Sequence, residues 1–542
     1  MLGQMMHRPL RVADILTYAE DIHGDEGIVS ATVEGGLHRQ TYRDMGARCR
    51  RLAKALRRLG VGDGDRVATL AWNGYRHLEL YYAVPGTGAV CHTLNPRLSA
   101  EQLVYITGHA DDRVLFVDLT FIPAVEKLAP HLPQGLTYVA MTDAAHMPDS
   151  PLPLLCYEDL LAAEDDGFDW PEMAEETAAG LCYTSGTTGN PKGSLYSHRS
   201  QVLHALTVCV AMQDAMRTGQ RVLPVVPLFH ANSWGLAHAA PLSGASLVMP
   251  GPHLDGASLF DLMEAERVFS AWGVPTVWLG LRAEIEARGR LPEGFAEIVV
   301  GGSAAAPALI RAFEDRGVDV VHAWGMTEMS PIGTHSRLEP SMRERGYDER
   351  LALKACQGRR AFGVEMKIVD DHGRRQPHDG QAVGELFVRG NNVVSGYYDN
   401  PEATAAAMDG DGWFGTGDVA AITPEGFLRI TDRTKDLIKS GGEWISSIDV
   451  ENLALAHPHI ANCAVIAVPH PKWDERPVLI AVAAKGVTPD AADILRHLAA
   501  HLAKWQVPDE VIFVDDLPLT ATGKVSKLTL RERFAGHVLP EG

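Results

Sequence analysis

Residues 184–193 place four hydroxyls, three glycines and one lysine in a single run, Thr-Ser-Gly-Thr-Thr-Gly-Asn-Pro-Lys-Gly. Glycines let backbone N–H groups turn toward an anion without steric cost, hydroxyls add donors, and lysine adds a mobile positive charge. The run therefore predicts a cradle for a polyphosphate, against the plainer alternative of a polar surface turn. It is not the P-loop, in which Gly and four residues precede Gly-Lys-Ser/Thr; here Gly186 is followed five positions on by Pro191. A second run, 298–307, reads as a buried strand ending in Gly301, Gly302, Ser303 and Ala304. Small side chains there let a flat ring lie close to the backbone, although a tight strand-to-helix turn would use them too.

These groups need a framework. Residues 178–183 read as a central strand that delivers the cradle at its carboxyl end, where open α/β sheets place ligands. Upstream, Tyr42, Met45, Leu52, Leu56 and Leu59 recur at helical spacing, with Thr41 and Asp44 as a capping box and Gly60 as the stop. Strands over 66–71, 88–93, 113–117 and 136–141 alternate with helices over 75–84 and from Ser99, which calls for a mostly parallel sheet with helices on both faces. The proline- and acid-rich stretch 148–176 reads as a surface connection. A strand over 221–226 ends in Pro227-Leu-Phe-His-Ala-Asn-Ser-Trp-Gly235, and another over 318–321 leads into His322-Ala-Trp-Gly-Met-Thr-Glu328. Residues 365–371 and 384–389 read as a hairpin, a shift toward antiparallel sheet. Asp418 ends a Gly-Thr-Gly-Asp turn, and charged residues then precede Ser440-Gly-Gly, a flexible linker. From 448 onward the pattern is a small α+β unit.

The whole chain narrows the function. At 542 residues and 46% hydrophobic it holds more than one core, and a formal charge of −20 opposes attraction to nucleic acid or anionic lipid. The expected ligand is small. Seven scattered cysteines, never in a Cys-x-x-Cys pair, argue against disulfides and zinc and suit a reducing cytoplasm. Neither a signal peptide nor a bilayer-length apolar run is legible, so stable membrane insertion is not expected.

The run 184–193 is similar to the phosphate loop of the adenylate-forming enzymes, the superfamily of acyl-CoA synthetases, peptide-synthetase adenylation domains and firefly-type luciferases. Four further motifs resemble that family in its order. The resemblance implies an α/β fold with a large N-terminal domain (1–432) of parallel sheets plus a small β-barrel-like part, and a small mobile α+β domain (433–542). It implies ATP, Mg2+ and CoA. Thr184, Ser185, Gly186, Thr187, Thr188, Gly189 and Lys192 would cradle phosphates, with Thr184 and Glu328 on magnesium. Gly302, Ser303, Ala304, His322, Ala323, Trp324, Gly325 and Met326 would surround adenine, with Trp324 at the usual tyrosine position. Thr327 would donate to the α-phosphate, and Asp418 and Arg433 would hold the ribose. His230, Trp234 and Gly302 would face the acid, and Lys524 would activate its carboxylate. Lys435 would be the hinge, and a proline there is expected to spare the first half-reaction. Lys439, Ser440, Gly441, Gly442, Glu443 and Trp444 would approach CoA.

Two half-reactions are implied: acid plus ATP gives acyl-AMP and pyrophosphate, and the CoA thiol then displaces AMP. The string Lys435-Asp-Leu-Ile-Lys-Ser-Gly-Gly-Glu-Trp-Ile resembles fatty-acyl-CoA ligases. The opening Met-Leu-Gly-Gln-Met-Met with Ala71-Trp-Asn-Gly-Tyr-Arg-His resembles a branch acting on 3-methylmercaptopropionate, a short thioether acid from dimethylsulfoniopropionate breakdown. Medium- or long-chain fatty acids remain the competing substrates. An adenylation module loading a carrier protein and a non-catalytic nucleotide-binding relative are the other classes, and free CoA as acceptor separates the former. Oligomeric state is not legible, though a homodimer is common in the family.

Overall fold

The computed structural model describes residues 1, 3–184, 190–441, 443–520 and 524–539. Among these residues the strands form sheets of thirteen, seven and five members. In the seven-stranded sheet, Arg66–Leu70 pairs in parallel with Val90–Thr93 and Asp112–Val117, and Val90–Thr93 pairs in parallel with Ala178–Tyr183. Their apolar faces meet helices on both sides. The helix Tyr42–Arg58 starts at the expected capping box, Thr41 with Asp44, and buries Tyr42, Met45, Cys49, Leu52 and Leu56. Gly60 follows at φ +82, a conformation that costs glycine little. This helix packs on Tyr75–Gly86, which is buried along its whole length.

Gly27–Ala31, Ser246–Met249, Arg221–Pro224, Ser270–Gly273, Glu297–Val300 and Asp319–Gly325 make the parallel half of the thirteen-stranded sheet. The same ladder continues antiparallel through Ile332–His335, Gly358–Arg360, Phe427–Arg433, Phe414–Ile422, Gly384–Gly390 and Val364–Val369. The last two are the expected hairpin, with its turn closed by Gly373 N–H on Asp370 O at 2.8 Å. The antiparallel strands thus place Asp418 and Arg433 beside the carboxyl end of Asp319–Gly325.

The five-stranded sheet joins Ile438–Ser440 and Glu443–Ile445 to Asp474–Ala483, Ile460–His470 and Glu510–Phe513. Its core is Ile438, Ile445, Val450, Val465, Leu479, Ile494 and Leu498.

Three sequence expectations need correction, the first being the flexible linker at Ser440-Gly-Gly: Ile438–Ser440 is a strand paired antiparallel with Glu443–Ile445. The stretch 148–176 is not only a surface connection: Leu155–Cys156 adds an edge strand, and Tyr157–Ala162 is a helix that buries Tyr157, Leu160 and Leu161. The apolar cluster was too short to stand out among its prolines and acids. Asp418 is not in a turn either. It lies inside the strand Phe414–Ile422, opposite Arg433, where a register shift and Gly417 at φ +72 accommodate the glycine-rich run.

Candidate active site

The candidate phosphate run 184–193 joins the two strands of a hairpin. Ala178–Tyr183 and Gly193–Ser197 pair antiparallel, and the ends are closed by Thr184 N–H donating to Lys192 O at 2.9 Å. A strand, Gly193–Ser197, therefore follows the run directly, where a helix follows a P-loop. Ser185, Gly186, Thr187, Thr188 and Gly189 lie outside the described residues. Lys192 Nζ sits 5.0 Å from the centroid of the Tyr397 ring.

Glu328 stands in a buried turn, Thr327–Met329, after the strand Asp319–Gly325. Its Oε1 accepts from Tyr397 Oη at 2.7 Å, and its backbone carbonyl accepts from Val394 N–H at 2.8 Å. Burial pushes its carboxyl above the ordinary range, against the pull of the Tyr397 hydrogen bond and the charges of Arg433 and Lys192. Thr327 O accepts from Tyr196 Oη at 2.7 Å, which fixes the turn. Burial lowers the His322 imidazole to about 4, and its Nδ1 lies 3.2 Å from Ala355 O, so this histidine is a neutral strut. Ala323, Gly325 and Met326 run on beside it; a Cβ on Gly325 would come within 1.9 Å of Pro331 O.

Asp418 collects the next group. Arg433 Nε lies 2.7 Å from its Oδ1, and Trp324 Nε1 donates to its Oδ2 at 3.0 Å. Burial raises the Asp418 carboxyl, opposed by Arg433, Trp324 and Lys524. The Trp324 indole rests against Gly333, where a Cβ would stand 3.0 Å from Cζ3. Lys524 reaches this cluster from the C-terminal unit: its Cε is 3.5 Å from where a Cβ on Gly302 would be, and Gly302 itself sits at φ +82. Burial first, then Arg433, lower the Lys524 ammonium to about 8, while Asp418 and Glu328 hold it up. Ser303 and Ala304 continue from Gly302, with Ser303 exposed.

His230 and Trp234 lie on the Lys524 side. Burial, with Lys524 and Arg97 nearby, lowers His230 to about 4. Trp234 is 8% exposed, and a Cβ on Gly301 would come within 2.8 Å of its Cη2. Its backbone is unusual: Ala231, Asn232, Ser233 and Trp234 all have φ between +46 and +54. A left-handed turn of non-glycine residues costs about 1–2 kcal/mol per residue.

The remaining candidates stand apart. Lys439 Nζ is 5.7 Å from the Trp444 ring, Ser440 Oγ accepts from Arg476 Nη1 at 3.0 Å, and Glu443 and Trp444 are exposed. Gly441 has φ +61 and donates its N–H to Trp473 O at 2.8 Å. Gly442 lies outside the described residues. Around Lys435, Arg433 O accepts from both Asp436 N–H at 2.9 Å and Leu437 N–H at 3.0 Å, one helical turn. A proline at 435 would force Thr434 out of that turn, so it would disturb this arrangement and not spare it.

Tyr397, Tyr196 and Arg97 escaped sequence reasoning. Tyr397 lies 69 positions from the carboxylate it holds, and no local spacing announces such a pair.

The AMP-binding enzyme family model matches residues 23–398, and the AMP-binding enzyme C-terminal domain matches 449–524. The chain is 49% identical, over 98% of its length and 99% of the relative's, to 3-methylmercaptopropionyl-CoA ligase of Ruegeria pomeroyi. It is 47% identical, over 99% of its length and 98% of the relative's, to medium-chain-fatty-acid–CoA ligase of Ectopseudomonas oleovorans. Among solved structures it is similar to the anthranilate CoA ligase AuaEII in complex with anthranoyl-AMP, with TM-score 0.87 and 25% identity over 98% of this chain and 99% of that one.

Proposed function

The chain belongs to the AMP-binding enzyme family, and on that footing we propose that it is an AMP-forming acid:CoA ligase for short- to medium-chain acids, 3-methylmercaptopropionate included. The observation that carries the reading is Lys524, a half-buried lysine brought from the C-terminal unit to Gly302, where Asp418 and Glu328 act on its charge. An acid carboxylate and the α-phosphate of ATP repel each other, and a cation held between them lowers the barrier to their approach. The carboxylate oxygen forms a bond to the α-phosphorus as the bond to pyrophosphate breaks. The CoA thiol, losing its proton, then attacks the acyl carbon and AMP leaves.

Each residue has a part. Thr184, Lys192 and the loop between them orient the leaving pyrophosphate, and Thr327 donates to the α-phosphate. Asp418, braced by Trp324 and Arg433, offers two acceptor oxygens to the ribose. Glu328 and Thr184 offer hard oxygens that fit Mg2+: among the described residues the buried Glu328 carboxylate accepts a hydrogen bond from Tyr397 but makes no ion pair. When bound there, Mg2+ supplies Lewis-acid charge to the phosphates. His230 and Trp234 border the acid. The unit beyond Lys435 turns between half-reactions, taking Lys524 out and bringing Lys439 to Trp444 toward CoA. The cytoplasm, where thiols stay reduced, suits the seven free cysteines.

Lys524 acts as a cation, so kcat/KM for adenylation should be level at neutral pH and fall as pH rises through about 8. Bound triphosphate stabilises the ammonium, so the corresponding fall in kcat should come at higher pH. A pH profile of pyrophosphate exchange flat from 7 to 10 would remove Lys524 from this role.

Trp234→Ala should change acid preference and raise the KM for short acids, leaving the KM for ATP within about twofold, since the indole contributes apolar burial on the acid side. The test of the whole reading is a profile of acids for CoA thioester formation. A peak among short to medium acids with 3-methylmercaptopropionate accepted is expected. The identity to a medium-chain ligase supports a longer acid as the second reading, and a profile peaking at long chains with the thioether acid inactive would select against the first.

A further inference from the structure

The turn that carries Trp234 is held from outside by residues that the proposed chemistry does not use. Its four left-handed residues persist only if their surroundings over-determine them. Those surroundings come from Ala71-Trp-Asn-Gly-Tyr-Arg-His77 and the helix Tyr75–Gly86, which belong to the neighbouring sheet's layer. Asn73 is 4% exposed and spends its whole amide on the approach to the turn. Its Nδ2 donates to Pro224 O at 2.7 Å and Val226 O at 2.8 Å, and its Oδ1 accepts from Leu228 N–H at 2.6 Å. One turn along the helix from that loop, Tyr81 Oη bonds Leu228 O and lies 3.3 Å from Asn232 Oδ1. Inside the turn, Ser233 Oγ donates to Val226 O at 2.7 Å, and Asn232 Nδ2 donates to Gln201 Oε1 at 3.2 Å.

We propose that Asn73 and Tyr81 are positioning residues for acid selection, holding the left-handed turn so that the Trp234 indole stays against Gly301 and Gly302 beside Lys524. This rests on the ligase reading. The indole lies along that edge: a Cβ on Gly301 would come within 2.8 Å of Cη2, Cζ2 is 4.0 Å from a Cβ position on Gly302, and Lys524 Cε is 3.5 Å from the same point. If the turn relaxed toward ordinary φ values, its side chains would be re-aimed, and the indole at its end would leave this edge. The adenine side, built on Asp418, Trp324 and His322, has no hydrogen bond to Asn73 or Tyr81 among those described. The effect should therefore appear in the acid and not in the nucleotide.

The adjacent tyrosine supplies the control. Tyr82 Oη donates to Ala237 O at 2.7 Å, an equally buried bond from the same helix, but to the helix Leu236–Ser243 and not to the turn. Tyr81→Phe should raise the KM for the preferred acid roughly five- to tenfold, the equivalent of one buried hydrogen bond, and change the ratio of short to long acids accepted. Its KM for ATP should stay within about twofold. Tyr82→Phe, with a comparable loss of Tm, should leave acid preference where it was. Ser233→Ala acts on the turn itself and should reproduce the Tyr81→Phe profile, which keeps the test open should Tyr81→Phe fold poorly. Equal changes in acid and ATP parameters, or equal acid profiles for Tyr81→Phe and Tyr82→Phe, would overturn the inference. A wild-type protein that forms no CoA thioester would instead overturn the ligase reading beneath it.

Discussion

Lys524→Ala is expected to lower pyrophosphate exchange by about 10²–10³-fold, the range for removing one preorganised charge stabiliser from a water-poor site. CoA thioester formation from preformed acyl-AMP should stay within a fewfold of wild type. The asymmetry follows from what the ammonium opposes. Only in the first half-reaction do two anions have to meet, and in this arrangement the Lys524 side chain lies at Gly302 with Asp418 and Glu328 acting on its charge. An acyl-AMP already made has no such repulsion left. Lys524→Arg should recover little, because the flat guanidinium is larger than an ammonium and a Cβ on Gly302 would already contact Lys524 Cε. Equal losses in both half-reactions would make Lys524 a structural residue whose removal loosens the contact between the two units.

The parts of this site that were legible in sequence are those whose chemistry is local. The glycine and hydroxyl run 184–193, the small residues after Val300 and the run ending at Glu328 each stand out within ten residues, because the roles proposed for them call for particular residue types in succession. Alternating strands and helices gave away the layered sheets for the same reason: period and capping are short-range signals, as at Thr41 and Asp44. What depended on distant partners was hidden. Tyr397 on Glu328, Tyr196 on Thr327 and Asn73 on Pro224, Val226 and Leu228 are contacts across 69, 131 and over 150 positions. Asp418 shows the opposite hazard. Its Gly-Thr-Gly-Asp run has the composition of a turn, yet cross-strand pairing with Arg433 overrides local preference and makes it strand. The left-handed turn at Trp234 has no glycine until its end, so nothing in its composition predicted it.

The second half-reaction is better probed at Trp444 than at Lys435, the proposed hinge. A proline at 435 would distort the helical turn that Arg433 O closes, so its effects would spread to both half-reactions and separate nothing. Trp444 is free of that defect. It is 51% exposed and is not among the residues gathered around Lys524, while its neighbour Ser440 is tied to the C-terminal unit through Arg476. An indole so placed adds little to the arrangement proposed to make acyl-AMP, and the proposed turn of the C-terminal unit would make it available as apolar surface. Trp444→Ala should therefore leave pyrophosphate exchange within about twofold and slow thioester formation from acyl-AMP roughly 30-fold, the equivalent of the ~2 kcal/mol typical of losing an aromatic anchor. The KM for CoA should rise with it. Stopped-flow turnover of isolated acyl-AMP at varied CoA reads this directly. If thioester formation is unchanged, the 439–444 hairpin does not meet CoA; if exchange falls equally, the indole supports the first arrangement and the two half-reactions are not divided between Lys524 and this hairpin.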